Sequence, residues 1–292
     1  MPKDFSDVRI VYVKDFEYGK PLYRFKVYTP PKEFGKISGH RFVSLVNDNN
    51  IFQNDLQVLL GFIKRQPFIE TDHTIVGNKL EQPIIDFVSE AYGFTDVETF
   101  GFEDLKNGND DFHFIRDLEY TNENGERVTG EIKTYSNPRK VGGNIKSPVT
   151  HLDWWLQTRL EIEVLKEEGE KGKVFYYFVD EPTRNAVLND RAYTLKYKNL
   201  AESDDIIKYG KNEEDPYIIN NFPNQGFKTF KQLMDYAKER RDEMDTVYED
   251  EEGTYYYVEV PLKYPFYHKF DHVKNYLNDI KEQIKIEEYK GE

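Results

Sequence analysis

Cysteine is absent from the 292-residue chain, which excludes disulfides, thiolate zinc sites and cysteine-ligated iron–sulfur clusters and fits a reducing compartment. No apolar run approaches the roughly 20 residues needed to span a bilayer. The first residues, Met1-Pro2-Lys3-Asp4-Phe5-Ser6-Asp7, hold no hydrophobic signal core. A cytoplasmic location is the resulting expectation. Positive charge is scarce: 40 Lys and Arg stand against 54 Asp and Glu, a formal net charge of −14. That balance argues against a general nucleic-acid coat, because cations that displace counterions drive phosphate binding.

The deficit is uneven. Between Ile132 and Leu152 stand Lys133, Arg139, Lys140 and Lys146 and no acid, whereas Asp242, Glu243, Asp245 and the run Glu249 to Glu252 crowd a later stretch. A cationic strip on an acidic body suits an enzyme that must release an anionic substrate. Solvated surface is the plainer account of the acidic run.

With 38% apolar residues, 22 Tyr and 21 Phe, the chain is large enough for one sizeable core with elaborations or for two small domains. Strands are expected at Val8–Val13, Leu22–Tyr28 and Arg41–Val46, separated by Gly and Pro. A helix over Asn54 to Lys64 follows from Leu56, Leu59, Leu60 and Ile63 at helical spacing. A second is expected between His73 and Gly93, with Pro83 setting its regular start near residue 82 and leaving Glu81 at its mouth. Next come a strand from Phe112 to Leu118, a turn around Asn124-Gly125, a strand through Glu131 and a basic loop from Ser136 to Pro148. A helix from Asp153 to Glu168 and an apolar strand from Val174 to Val179 complete this part. Beyond residue 185 the pattern predicts a polar loop (Glu202 to Pro216), a helix (Phe230 to Glu243), a strand (Thr254 to Leu262) and a C-terminal helix (Val273 to Tyr289). The expected fold class is α/β, a mixed central sheet flanked by helices. The organisation reads as a β-rich extension (1–72), a core (73–185) and an α+β elaboration (186–292).

The chemistry concentrates in Asp111 and Glu131-Ile132-Lys133. Successive side chains of a strand point to opposite faces, so Glu131 and Lys133 share one face while Ile132 faces the core. A hairpin through Asn124-Gly125 is expected to lay Asp111 beside Glu131. Two carboxylates, with a main-chain carbonyl such as that of Ile132, suit a hard divalent cation, Mg²⁺ or Mn²⁺, for metal-assisted phosphodiester hydrolysis. Lys133 would position or deprotonate a water, or stabilise negative charge. An isolated Glu-x-Lys is weak evidence, since Glu288-Tyr289-Lys290 also occurs; the Asp-led strand, Gly130 and the cationic loop give it context.

The ordered set Gly77-Asn78-Lys79-Leu80-Glu81, Asp111, Glu131-Ile132-Lys133 and Gln157 resembles the PD-(D/E)xK nuclease superfamily. It is most similar to phage lambda exonuclease and YqaJ-type viral recombination nucleases, across roughly residues 74 to 180. The resemblance implies a restriction-endonuclease-like core, with Glu81 as a helix carboxylate near the metal, Asp111 and Glu131 as ligands, Lys133 as the catalytic lysine and Gln157 in the site. It further implies an exonuclease acting on duplex DNA ends in a bacterial or phage-infected host. A single-strand annealing or single-strand-binding partner and a homo-oligomer are also compatible with it. Asn109-Asp110-Asp111 departs from the superfamily's usual proline–aspartate, so Asp110 is a rival ligand.

Softer candidates surround this set. Arg139, Lys140, Lys146 and His151 are candidate DNA contacts, the first three in or beside a loop with Gly142-Gly143. Trp154 and Trp155 suit either base stacking or the core. His113 shares a face with Asp111, and His268 and His272 have i, i+4 spacing without a third zinc ligand. A restriction- or repair-type endonuclease on the same core, and a non-catalytic DNA-mimicking or binding protein, are the competing functional readings.

Overall fold

The computed structural model describes residues 8–17, 20–28, 34–47, 55–63, 71–101, 108–136, 152–261 and 284–288. In chain order the strands are β1 (Val8–Glu17), β2 (Lys20–Tyr28), β3 (Ile37–Ser38), β4 (Thr95–Thr99), β5 (Phe112–His113), β6 (Leu118–Thr121), β7 (Arg127–Tyr135), β8 (Lys171–Phe178), β9 (Leu200–Glu202), β10 (Ile206–Ile207), β11 (Val247–Asp250), β12 (Gly253–Pro261) and β13 (Ile284–Glu288). The helices are α1 (Gly39–Val46), α2 (Asp55–Phe62), α3 (Asp72–Tyr92), α4 (Leu152–Leu165), α5 (Glu181–Leu188), α6 (Pro216–Asn221) and α7 (Phe230–Met244). Among the described residues no helix is long and apolar enough to cross a membrane.

The chain divides into two compact units. The first takes residues 1–37, 41–68 and 234–292. Its five-stranded sheet runs β11-β12-β2-β1-β13, with β12 antiparallel to β2 and β13 parallel to β1. The two ends of the chain therefore share one sheet, where the sequence reads as separate extensions. Residues 284–288 were expected in a helix; Ile284 and Ile286 alternate with Lys285 and Glu287, a period of two that suits a strand. The remainder of that expected helix, before residue 284, lies outside the described residues. The segment Arg41–Val46, read as a strand, is helical in α1. Phe42, Val43, Leu45 and Val46 are all buried, a grouping that adjacent apolar pairs on a helix satisfy and strict alternation does not.

The second unit comprises residues 38–40 and 69–233. Its six-stranded sheet runs β10-β8-β7-β6-β4, with β9 also on β8. The sheet is mixed: β7 and β8 are parallel and joined through α4, while β6 and β7 form an antiparallel hairpin. One face packs Val128, Ile132, Phe175 and Tyr177 against Val76, Leu80, Ile84 and Val88 of α3 and Val187 of α5. The other face carries Thr129, Glu131, Val174 and Tyr176, all buried, and Gly172 on this face lies against Thr158 and Ile162 of α4.

Helix α3 begins ten residues earlier than Pro83 suggests. Thr71 is its N-cap, accepting from the Thr74 amide, while the Thr74 hydroxyl accepts from the Thr71 amide. This capping box and Asp72 in the first turn stabilise the start. Pro83 lies inside the helix, where its missing N–H costs the Lys79 carbonyl one intrahelical donor. Gly93, at φ 64°, ends the helix in the left-handed conformation.

Candidate active site

The register of the β6–β7 hairpin decides which acid meets the Glu-x-Lys strand. Asn122 Oδ1 accepts the amides of Asn124 and Glu126 at 3.0 and 2.9 Å, and Gly125 takes φ 76°. These closures pair Thr121 with Arg127 and Leu118 with Gly130. One step further, Asp117 falls opposite Glu131, and its carboxylate accepts the Ile132 amide at 2.6 Å.

Asp111 does not take that place. The stretch expected as one strand from Phe112 to Leu118 is broken: β5 covers Phe112–His113, residues 114–117 are irregular, and β6 starts at Leu118. β5 is outside the six-stranded sheet. Asp111 stands at the head of β5, its amide bonded to Asn109 Oδ1 at 2.9 Å. Asp110 shares this Asn109-led turn, so neither member of the pair lies on the hairpin. His113 forms a bridge with Gly108 and likewise belongs to that turn.

Around Glu131 the structure gathers Lys133, Gln157, Asp117, Glu81 and Glu161. Glu131 is 1% exposed. Its Oε1 accepts from Lys133 Nζ and from Gln157 Nε2, the latter at 2.9 Å. Gln157 and Glu161 lie one turn apart on α4, hence on one stripe of the helix. Glu81 lies four residues beyond Gly77 on α3. Gly77 leaves only ordinary contact distance, 3.5 Å from a Cβ position to Thr134 Oγ1, so this stripe approaches the Lys133 end of β7. Ile132 packs its side chain in the core, and its amide holds Asp117.

Four carboxylates share one lysine here. Burial, then the Asp117 charge, pushes the Glu131 carboxyl up to about 8. Burial followed by the Glu131 and Asp117 charges raises Glu161 well above the ordinary range, and burial raises Asp117 against the pull of Lys133. At the rim, the protein around Glu81 and then the Asp117 charge raise its carboxyl. For Lys133, burial works to lower the ammonium, but Glu131 and Asp117 outweigh it and raise the pKa. Crowding and burial thus disfavour the charged form of each carboxyl, while the acids favour the charged form of the lysine.

Beside this cluster a second set of charges centres on Glu119. Glu119 accepts from Arg116, from Arg127 at 2.9 Å and from Lys166 at 2.6 Å. Burial works to raise its carboxyl, but Lys166 and Arg127 hold it below the usual range.

Hard oxygen donors suit Mg²⁺ or Mn²⁺. Buried oxygens without a hydrogen-bond partner include Glu131 Oε2 and both carboxyl oxygens of Glu161, so the donor chemistry fits such a cation. As they stand, no three His, Cys, Asp or Glu side chains among the described residues are arranged around one ion. Lys133 occupies Oε1 of Glu131 instead.

Arg139, Lys140, Lys146 and His151 lie outside the described residues, as do His268 and His272. Trp155 is 6% exposed with its ring centroid 3.6 Å from that of Tyr217, which places it in the core. Trp154 packs at 5.5 Å from Tyr176. Sequence reasoning missed Asp117 and Glu161. The i, i+4 spacing from Gln157 marks Glu161, whereas a two-residue Asn124-Gly125 turn would set 117 opposite 132; the three-residue loop Glu123-Asn124-Gly125, closed by Asn122 and Glu126, is what brings 117 opposite 131.

No family model matches the chain, and no curated protein matches it. Among solved structures, an alkaline exonuclease from Laribacter hongkongensis is similar at 12% identity, covering 72% of this chain and 90% of that one with a TM-score of 0.43. The structure of that enzyme in complex with dAMP gives 12% identity, 72% and 91% coverage and the same TM-score.

Proposed function

We propose that this chain is a metal-dependent deoxyribonuclease that degrades duplex DNA from an end. The observation that carries the reading is the convergence of Asp117, Glu131 and Lys133 on the β6–β7 hairpin, with Gln157 of α4 bonded to Glu131. Asp117, Glu131 and Glu81, with the main-chain carbonyl of Ile132, would hold Mg²⁺ or Mn²⁺. Bound there, the ion supplies Lewis-acid charge and a water of lowered pKa. Lys133, held cationic by its acidic neighbours, places positive charge where a phosphate becomes more negative in the transition state. Gln157 fixes one carboxylate oxygen of Glu131 and so its orientation.

Linear duplex and covalently closed circular DNA, incubated in parallel with Mg²⁺ or Mn²⁺, test the reading, with Lys133→Ala as control. Loss of the linear substrate alone, abolished in the variant, is expected. Cutting of the circle makes the chain an endonuclease, and intact DNA of both forms overturns nuclease activity.

A further inference from the structure

Glu161 is the least satisfied charged group near the site. It is 0% exposed, and neither carboxyl oxygen has a hydrogen-bond partner. Its position on α4 follows from Gln157, one turn earlier, whose amide reaches Glu131; the same stripe carries Glu161 over that face of β7. The charges it faces are those of Glu131, Asp117, Lys133 and Arg116.

Packing alone does not account for a carboxyl here. A Leu or Met fills similar space without burying polar atoms that lack donors. Nor do the neighbouring cations satisfy it: the Lys133 ammonium bonds Glu131, and an Arg116 nitrogen bonds Glu119. Glu131 Oε2 is likewise buried without a partner. Two neighbouring acids thus hold three oxygens with nothing to accept from, which is the chemistry of hard-cation ligands.

We propose that Glu161 is a ligating carboxylate of the metal site, a helix-borne oxygen donor whose side chain would turn, with those of Asp117 and Glu131, to meet the ion from the α4 side. This rests on the reading of the cluster as a divalent-cation site. It extends the helix contribution from Gln157, which acts through Glu131, to a residue that touches the ion itself. The consequence is tighter cation binding than Asp117 and Glu131 alone provide.

The test is Mn²⁺ titration of the full chain without DNA, followed by calorimetry and by the electron paramagnetic resonance signal of free Mn²⁺, on the wild type, Glu161→Gln and Glu161→Leu. Both variants remove the charge while filling the space, and their thermal unfolding without Mn²⁺ checks the fold. At least about tenfold weaker Mn²⁺ binding is expected in both, as is a smaller Mn²⁺-induced rise in Tm, which a purely structural carboxyl does not produce. Unchanged Mn²⁺ affinity in a folded variant overturns the proposal, as does a wild type that binds no Mn²⁺. DNA cleavage by the same preparations is read separately. Mn²⁺ binding through Glu161 with intact linear DNA sinks the nuclease reading alone, whereas cleavage with unchanged affinity in the variants sinks this proposal alone.

Discussion

The carboxylate of Asp117 accepts the backbone N–H of Ile132 at 2.6 Å, so the acid preceding β6 is fastened to the middle of Glu131-Ile132-Lys133. An asparagine at 117 keeps an oxygen to accept this bond and loses the ligand charge. Asp117→Asn is therefore expected to lower cleavage of linear DNA by about 100-fold or more with little change in Tm. Asp111→Asn, in the Asn109-led turn, is expected to stay within a few-fold of wild type. Equal losses in the two variants would remove Asp117 from its assigned place.

Lys133 and Gln157 both contact Glu131 Oε1 but differ in charge. Lys133→Met removes the cation that the proposed mechanism sets against the phosphate and is expected to cost about 100- to 1,000-fold in kcat. Gln157→Ala loosens only the orientation of Glu131, so a loss of about tenfold is expected. Single-turnover cleavage of an end-labelled duplex measures both; a larger loss at Gln157 would contradict this ordering.

Gly130 sits where a Cβ would lie 2.7 Å from Leu118 Cδ2 and 2.8 Å from its Cγ. Leu118 is fully buried, so close neighbours oppose its swinging aside. Gly130→Ala is thus expected to destabilise by about 1–3 kcal/mol in urea unfolding. Gly77→Ala meets only Thr134 Oγ1 at 3.5 Å and replaces a helical glycine, so a gain of up to about 1 kcal/mol is expected. Reversed signs would show that the core around Leu118 is looser than its burial implies.

Asp180 caps α5, accepting the Thr183 amide at 3.0 Å and Lys196 Nζ at 2.6 Å. These bonds, that from Lys196 foremost, hold its carboxyl well below the ordinary carboxylate range. A depressed acid contributes stability above its unfolded pKa, near 4, and loses it as pH falls through the folded value. Asp180→Ala is expected to cost about 1 kcal/mol at pH 7. Asp180→Asn, which keeps a capping oxygen, should cost less, and its deficit should shrink as pH drops below about 4. Denaturant midpoints from pH 3 to 7 check this; a deficit that grows toward low pH would reverse the assignment.

Local rules account for what was legible. The Glu131 and Lys133 pair, the strand pairing through Asn124-Gly125 and the helices carrying Glu81 and Gln157 follow from alternation, turn chemistry and 3.6-residue spacing, all properties of neighbouring residues. Elsewhere one local signal competes with another. Pro83 alone points to a start near residue 82, but the Thr71-x-x-Thr74 capping box sets it ten residues earlier, and the three-residue loop centred on Asn124 sets the register in which Asp117 meets Glu131.

By itself the sequence determined the chemistry available: no thiol, a Glu-x-Lys strand, a turn that reverses the chain before it, and acids enough to crowd a lysine. Only the tertiary structure decided which acids crowd it. The break between β5 and β6 removes Asp111 from the hairpin, and α4 over the β7 face sinks Glu161 beside Glu131. Strand breaks and helix packing depend on contacts between residues far apart in the chain, which set burial, and burial is what turns a common residue pair into a crowded cluster of ionisable groups.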